Sequence, residues 1–355
     1  MVVEKDIVAI SIPFSAGVVT AALLPPGGDV PYWTAAGSCL AAAGLLCLLA
    51  RRAAGSGTIL ALSFILGLLC HAGALARGPA PPLRPAPAGR ALAALMQAID
   101  GAGFAHEGTA QLLKALLAGQ RDGLDPQTVA AFRKAGASHI LALSGLHLGI
   151  LYGILQKALA PLGHGRGATV LRSALCVGAA AFYLAMTGAA PSLVRAFLFI
   201  LFNELARLLP GRRRRASNVF CAALTVQLAV SPGVIRSLGF QLSYLAMLGI
   251  LLLYPRLEAW YPRGVRWDPV RRIWGAAALT LSCQVFTAPL VWVRFHTFPR
   301  CFLLTNLGAL PLTEAFILSA LPSLLPGCPE GMKNLADGIG QALVSFLETV
   351  ASISS

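Results

Sequence analysis

Charge is scarce in this sequence. Only 12% of its 355 residues are Asp, Glu, Lys or Arg, against 57% hydrophobic. Soluble domains carry about 25% charged and about 45–50% apolar residues, so this chain cannot clothe a water-facing surface of its size. A soluble enzyme, a fibre and a disordered chain are excluded at this step. Acid is scarcest: 14 carboxylates stand against 28 Lys and Arg, and the six His are scattered at 71, 106, 139, 147, 164 and 296. There is no H-E-x-x-H, C-x-x-C, G-x-x-x-x-G-K-[ST] or G-x-S-x-G. Zinc hydrolysis, dithiol redox chemistry, P-loop nucleotide hydrolysis and a nucleophile elbow therefore have no motif to rest on. No enzymatic role, cofactor or metal is expected. The eight Cys sit in or beside apolar runs and read as small packing residues.

Long apolar runs are what the chain has instead, and its mean hydropathy is +0.73. A helix crosses the hydrocarbon core in about 20 apolar residues. Runs at 7–24, 33–50, 58–76, 138–160, 168–187, 191–209, 217–231, 238–254, 273–292 and 301–326 predict about ten spans. The fold class is all-α: a polytopic integral membrane helical bundle, with amphipathic helices lying at its surface. The start, MVVEKD, is not a basic leader, and the first run ends in Pro25-Pro26, so a retained first span is expected. Ser231-Pro232-Gly233 cuts the short 217–231 run, which makes a re-entrant segment an alternative there. Pro311 predicts a kink or two half-helices in the last span.

Basic residues set the orientation. With the N-terminus inside, sixteen of the 28 Lys and Arg fall in inside segments, Arg212–Arg215 among them; short outside loops hold only Arg236, Arg294 and Arg300. This obeys the positive-inside rule and places both termini in the cytoplasm. Most of the net charge of +14 belongs to that asymmetry, and anionic membrane lipid is the default partner of the Arg212–Arg215 cluster. A surface or passage for a polyanion is the sharper reading.

Four regions follow. Residues 1–76 hold three N-terminal spans. Residues 77–137 open with the Pro-rich GPAPPLRPAPAG and continue as amphipathic helices at the outer face, with Asp125-Pro126 as the cap and first turn of one of them. Residues 138–326 form the main membrane domain, and 327–355 an amphipathic tail.

Polar groups inside hydrocarbon are costly, so each marks either a functional position or hydrogen-bonded helix glue. The run SHILALSGLHLGILYGIL spaces His139, Leu143 and His147 four apart, sets Ser144 three before His147, and forms G-x-x-x-G with Gly145 and Gly149. As one helix it presents either a polar stripe along a watery path or a tight helix crossing; a Ser nucleophile with a His base has no completing acid. In TGAAPSLVRAF, Pro191 opens a helix and Arg195 lies about a turn and a half inside it. That cation requires a carboxylate, carbonyls, water or a phosphate. Glu204 is nine residues on, about 13 Å along the axis, and Glu314 is the other acid considered. Gln241, Tyr244, Gln284, Thr287, Pro289, Asn306 and Pro311 suggest broken helices around a cavity.

The segments GASHILALSGLHLGIL, TGAAPSLVRAF, SPGVIRSLGFQLSYLAMLGI, QVFTAPLVWVRFHTF and NLGALP follow one another across about 136–311. In this order they resemble the competence domain of the ComEC family, the inner-membrane channel of DNA uptake. The resemblance implies a channel in the bacterial cytoplasmic (inner) membrane that passes single-stranded DNA inward during natural transformation. It also implies a DNA receptor at the outer face and an ATP-driven DNA translocase in the cytoplasm. The OB-type and metallo-β-lactamase-like domains of many members are not expected here, which adds a separate nuclease to the implied partners. On the matching positions, Ser144, Gly145, His147, Gly188, Ser192, Arg195, Gln241, Ser243 and Asn306 become candidates for the DNA path or its gate. The residues alone also allow a transporter of a small anionic solute or lipid, and a non-conducting membrane scaffold subunit.

Overall fold

The computed structural model describes residues 2–23, 56–77, 85–163, 165–208, 215–261, 269–296 and 300–353. The predicted 33–50 span, most of the Pro-rich stretch and Arg212–Arg214 lie outside them. The described chain is helical, with no strand among the described residues. Its helices are α1 (Val2–Leu23), α2 (Ser56–Arg77), α3 (Ala86–Gly101), α4 (Glu107–Ala118), α5 (Pro126–Lys134), α6 (Ser138–Leu141), α7 (Gly145–Ala158) and α8 (Arg166–Met186). They continue as α9 (Pro191–Leu208), α10 (Ala216–Val230), α11 (Leu238–Leu252), α12 (Tyr254–Ala259), α13 (Pro269–Phe295), α14 (Phe302–Ser323) and α15 (Glu330–Ile353).

Four stretches are long and apolar enough to cross a membrane: Arg166–Met186, Leu238–Ala259, Val270–Phe295 and Phe302–Ser323. Three shorter apolar helices cover Ile7–Leu23, Ala61–Ala74 and Ala216–Val230. Only 17–28% of each long window is buried, so most of its apolar surface, Phe182, Val285, Trp292 and Leu318 included, faces outward. In water that would drive aggregation; against lipid tails it costs nothing. The chain is an integral membrane helical bundle.

Burial concentrates where amphipathic helices meet. Along α15, Ala336, Gly340, Leu343, Leu347 and Val350 recur at spacings of three and four, and all are buried. This stripe packs on Ala309, Phe316, Ile317 and Ala320 of α14 and joins Leu112, Leu113, Leu116 and Leu117 of α4 and Phe132 of α5 in one core. Asp125 caps α5, its Oδ2 accepting the Thr128 N–H at 3.2 Å, and Pro126 fills the first helical position. The carboxylate of Asp337 on α15 accepts the Ala105 N–H at 2.8 Å, tying the α3–α4 loop down. A second core joins α7, α8 and α9 with Ala88 of α3, and a third joins α1, α10 and α11.

The α1–α2 pair shows why its glycines are needed. A Cβ on Gly17 would strike the Phe64 carbonyl, and one on Gly67 would strike the Phe14 carbonyl. The two backbones touch at reciprocal points, which only residues without side chains permit.

Two expectations are corrected. The 138–160 run is not one helix: it breaks at Ala142–Ser144 between α6 and α7. The Leu143 carbonyl, which a continuous helix would give to the His147 N–H, accepts the Ser192 hydroxyl instead at 2.8 Å. The Leu141 carbonyl accepts from Arg121 Nε at 3.2 Å. With 14 residues, α7 is about 21 Å long, short of the roughly 30 Å hydrocarbon core. Conversely, of the kink and the two half-helices that Pro311 allows, the half-helices do not form: α14 runs through Pro311 as a single helix, braced along its length by α15, as α13 runs through Pro289. The expected break after residue 230 is present, as a 3-10 turn over Pro232–Arg236.

Replacing Gly67 by Leu is expected to force α1 and α2 apart and lower the thermal midpoint of the purified protein in detergent by several degrees. Gly89→Ala, where a Cβ meets nothing within 4 Å, is expected to leave it unchanged or raise it, since Ala is better than Gly inside a helix by about 0.5–1 kcal/mol. Equal midpoints for wild type and Gly67→Leu would contradict the close approach of the two helices.

Candidate functional site

Non-helical backbone occurs at three places in this part of the bundle, one break inside a predicted span and two turns between spans. The first is the Ala142–Ser144 break. Ser144 there has an extended backbone (φ −119°, ψ 164°) and heads α7, and its N–H donates to His147 Nδ1 at 3.4 Å. The second is the turn from α8 to α9. Gly188 takes a positive φ of 83°, open to glycine without strain, and Ala189 follows at 55°. The third is the turn over Pro232–Arg236. It is held to α11 by Gln241, whose Nε2 donates to the Ile235 carbonyl at 2.7 Å.

Side chains stitch these breaks together. Ser192 bonds Leu143 across the first. Gln227 of α10 donates from Nε2 to the Pro191 carbonyl at 3.1 Å and accepts the Tyr244 hydroxyl at 2.9 Å. Tyr244 packs against Phe240 and Phe220 with ring centroids 4.5 and 5.6 Å away. The open carbonyls and N–H groups that a helix break leaves in a membrane are thus met by side chains from neighbouring helices.

Arg195 lies at the centre. Its Nη1 donates to the backbone carbonyl of Ser243 on α11, and its Nη2 would sit 3.4 Å from a Cβ placed on Gly145. No carboxylate pairs with it: the ion pairs among the described residues are Lys114–Asp100 and Arg207–Glu204. Glu314 is exposed on α14. The guanidinium is a cation whose protein acceptor is neutral.

Gly188 lies in the turn before α9 and Gln241 bonds the Ile235 carbonyl ahead of its own helix, whereas bonds and contacts bring together Ser144, Gly145, His147, Ser192, Arg195 and Ser243. The last acts through its carbonyl, a role no side-chain reading reveals. His147 is wholly buried, with its Nε2 unpartnered. Asn306 lies half-buried on α14 and shares none of these bonds. The G-x-x-x-G reading holds at one end only: a Cβ on Gly145 would crowd Ala196 at 3.2 Å, whereas Gly149 has nothing within 4 Å. The stripe from His139 to His147 does not form, because the two lie on opposite sides of the break and His139 Nδ1 contacts the Gly136 carbonyl at 3.2 Å.

A second polar cluster at the far end of α9 escapes sequence reasoning. Glu204, 1% exposed, accepts from Arg207 Nη1 at 2.7 Å, Ser173 Oγ at 2.6 Å, Gln156 Nε2 at 3.0 Å and the Tyr152 hydroxyl. Arg172 Nη2 extends the cluster to Gln156 Oε1 at 3.4 Å. Its one sequence signal is that Glu204 is the lone carboxylate of the 191–209 run; an acid there must recruit donors from other helices. The cluster joins α7, α8 and α9 and leaves Glu204 no vacant oxygen.

A family model described as Competence protein matches residues 116–355, which include every residue of both clusters. The chain belongs to the competence protein family. It is similar to ComE operon protein 3 of Bacillus subtilis (strain 168), 27% identical over 244 residues that make up 68% of this chain and 29% of that one. It is also similar to competence protein ComA of Neisseria gonorrhoeae, 27% identical over 253 residues (68% of this chain, 34% of the relative). The uncharacterized protein YcaI of Escherichia coli (strain K12) is 28% identical over 236 residues (62% and 30%). This competence-family chain spans about a third of the length of the curated relatives it matches. No solved structure matches it.

Glu204→Ala is expected to destabilise the competence-family chain by about 3 kcal/mol, because Tyr152, Ser173 and Arg207 lose a shared buried acceptor. Tyr152→Phe, which removes one of the four donors, is expected to cost about 1 kcal/mol. Reversible unfolding in mixed micelles measures both; a negligible loss for Glu204→Ala would show the cluster to be dispensable.

Proposed function

We propose that this chain forms the path by which single-stranded DNA crosses the bacterial inner membrane during natural transformation, with both termini in the cytoplasm. The observation that carries the reading is Arg195, a guanidinium among membrane helices that is paired with a carbonyl and not an acid. A buried cation with only a neutral acceptor keeps its attraction for an anion. Phosphate is the anion that DNA brings, and most protein–DNA affinity is electrostatic. Family membership and the names of the relatives in Bacillus and Neisseria support the same reading.

The break beside Ser192 supports a path in preference to helix glue. An unbroken span would satisfy its own backbone; here the Ala142–Ser144 break interrupts a predicted span, and Ser192, three residues before Arg195, bonds the Leu143 carbonyl that it exposes. Non-helical backbone at membrane depth is tolerated where it is buried in protein or lines a water-filled cavity. Transport inward draws on partners: a DNA receptor at the outer face, an ATP-driven translocase in the cytoplasm, and a separate nuclease that removes the strand left outside.

Arg195→Gln in the chromosomal gene is expected to lower transformation frequency by tenfold or more, on the order of the charge-assisted hydrogen bond that the substitution removes. Arg195→Lys is expected to recover part of it. Membrane levels of each variant are followed by immunoblot, and internalised label from DNA is counted directly. Normal uptake in a strain lacking the gene would refute the path.

A further inference from the structure

We infer that Gly145 and Arg195 form a seat for a single phosphate of a nucleic-acid backbone, at the N-terminus of α7, and that the seat reads backbone charge and not base identity. This rests on the DNA path proposed above. Two positive groups meet there. Gly145 is the first residue of α7, where aligned peptide dipoles leave roughly half a positive charge, and Arg195 Nη2 lies against it. Like charges brought together in an apolar bundle repel unless an anion lies between them or beside them. No carboxylate among the described residues does so.

Unused donors point the same way. A guanidinium carries five N–H groups, and the Ser243 carbonyl is its acceptor among the described residues. His147 lies in the first turn of the same helix and is 0% exposed. Its Nδ1 accepts the Ser144 N–H, so the ring proton is on Nε2, which has no acceptor. Left without an acceptor it costs about 1–3 kcal/mol, and it stands in the same first turn of α7 as Gly145. Gly145 permits this close approach of α9, since a Cβ there would press on both Ala196 and Arg195.

Indifference to the base follows from the aromatic residues. Tyr244 is packed between Phe220 and Phe240, and its hydroxyl is spent on Gln227. Its ring is therefore occupied and does not stack on a base. What remains for the strand at this point is charge and N–H donors.

The test uses the purified full chain in phosphatidylcholine nanodiscs and a fluorescent single-stranded oligothymidylate, with Kd measured by anisotropy across a potassium chloride series. Arg195→Gln is expected to weaken binding about tenfold and to reduce the slope of log Kd against log salt by about 0.7, the share of one phosphate on a single strand. Arg195→Lys should restore the slope, which also separates a missing charge from a misfolded variant. An abasic oligomer with the same phosphates should bind like the oligothymidylate, and a methylphosphonate oligomer should not distinguish wild type from Arg195→Gln. An unchanged slope in Arg195→Gln, or much weaker binding of the abasic strand, would overturn the seat. So would disappearance of the Arg195-dependent slope in phosphatidylglycerol discs, which would assign the seat to a lipid headgroup. If uptake in cells fails in Arg195→Gln while the slope is unchanged, the seat falls and the path stands. If the slope falls while a strain without the gene takes up DNA normally, the seat stands and the path falls.

Discussion

One guanidinium in a bundle that supplies it no acid governs how the middle of this molecule is built. Arg195 is bound by the Ser243 carbonyl of α11 and pressed against the start of α7. A cation placed among apolar helices must be solvated by something, and here a carbonyl inside α11 does so while the backbone around α9 is irregular. Helix α6 stops short of α7, the α8–α9 turn takes two positive φ values, and a 3-10 turn precedes α11. Each opening exposes carbonyls or N–H groups, and Ser192, Gln227 and Gln241 are the side chains that close them again.

The rest of the fold holds that centre in place from outside. The largest core lies where amphipathic helices pack on one long apolar helix: α15 along α14, with α3 to α6 against them. This fits the physics of a membrane protein. Outward apolar faces gain nothing from burial against other helices, so long spans such as α8 and α13 stay mostly exposed while the surface helices pack as a soluble core does. Side-chain bonds link the two kinds of structure. Tyr183 of α8 donates to the Leu117 carbonyl at the end of α4 at 2.7 Å, and Thr305 of α14 donates to the Ala135 carbonyl just after α5 at 2.7 Å.

Legibility from sequence divides along the same physical line. Composition and apolar run length give the all-α membrane class, because hydrocarbon imposes its demand on every residue of a span. Arg195 stands out for the same reason: a charge is visible wherever hydropathy is high. Asp125-Pro126 is read correctly as a helix start because capping is local. The Ala142–Ser144 break is not legible, since Ser144 and Gly145 are tolerated inside membrane helices and the decisive bond, Ser192 to Leu143, spans 49 residues. Pro311 allows two half-helices, and the chain keeps a single helix, packed on the helix that follows it. The Glu204 cluster draws on three helices, and Ser243 acts through its carbonyl, which every residue has.

The two ends of α9 show how hydrogen-bond stoichiometry separates a structural group from an available one. Glu204 receives Tyr152, Gln156, Ser173 and Arg207, so its oxygens are occupied and its charge is neutralised by Arg207 beside it. Nothing further is needed there, and nothing further fits. Arg195, nine residues earlier on the same helix, has donors to spare and a neutral acceptor. His147, a neighbour across the first turn of α7, has a buried N–H with none. Buried donors without an acceptor are uncommon in a folded core. The saturated acid holds α7, α8 and α9 in register, and that register is what presents the unsaturated cation. Helix α9 thus works as a strut fixed at its acidic end and chemically open at its basic end, the arrangement that the proposed DNA path calls for.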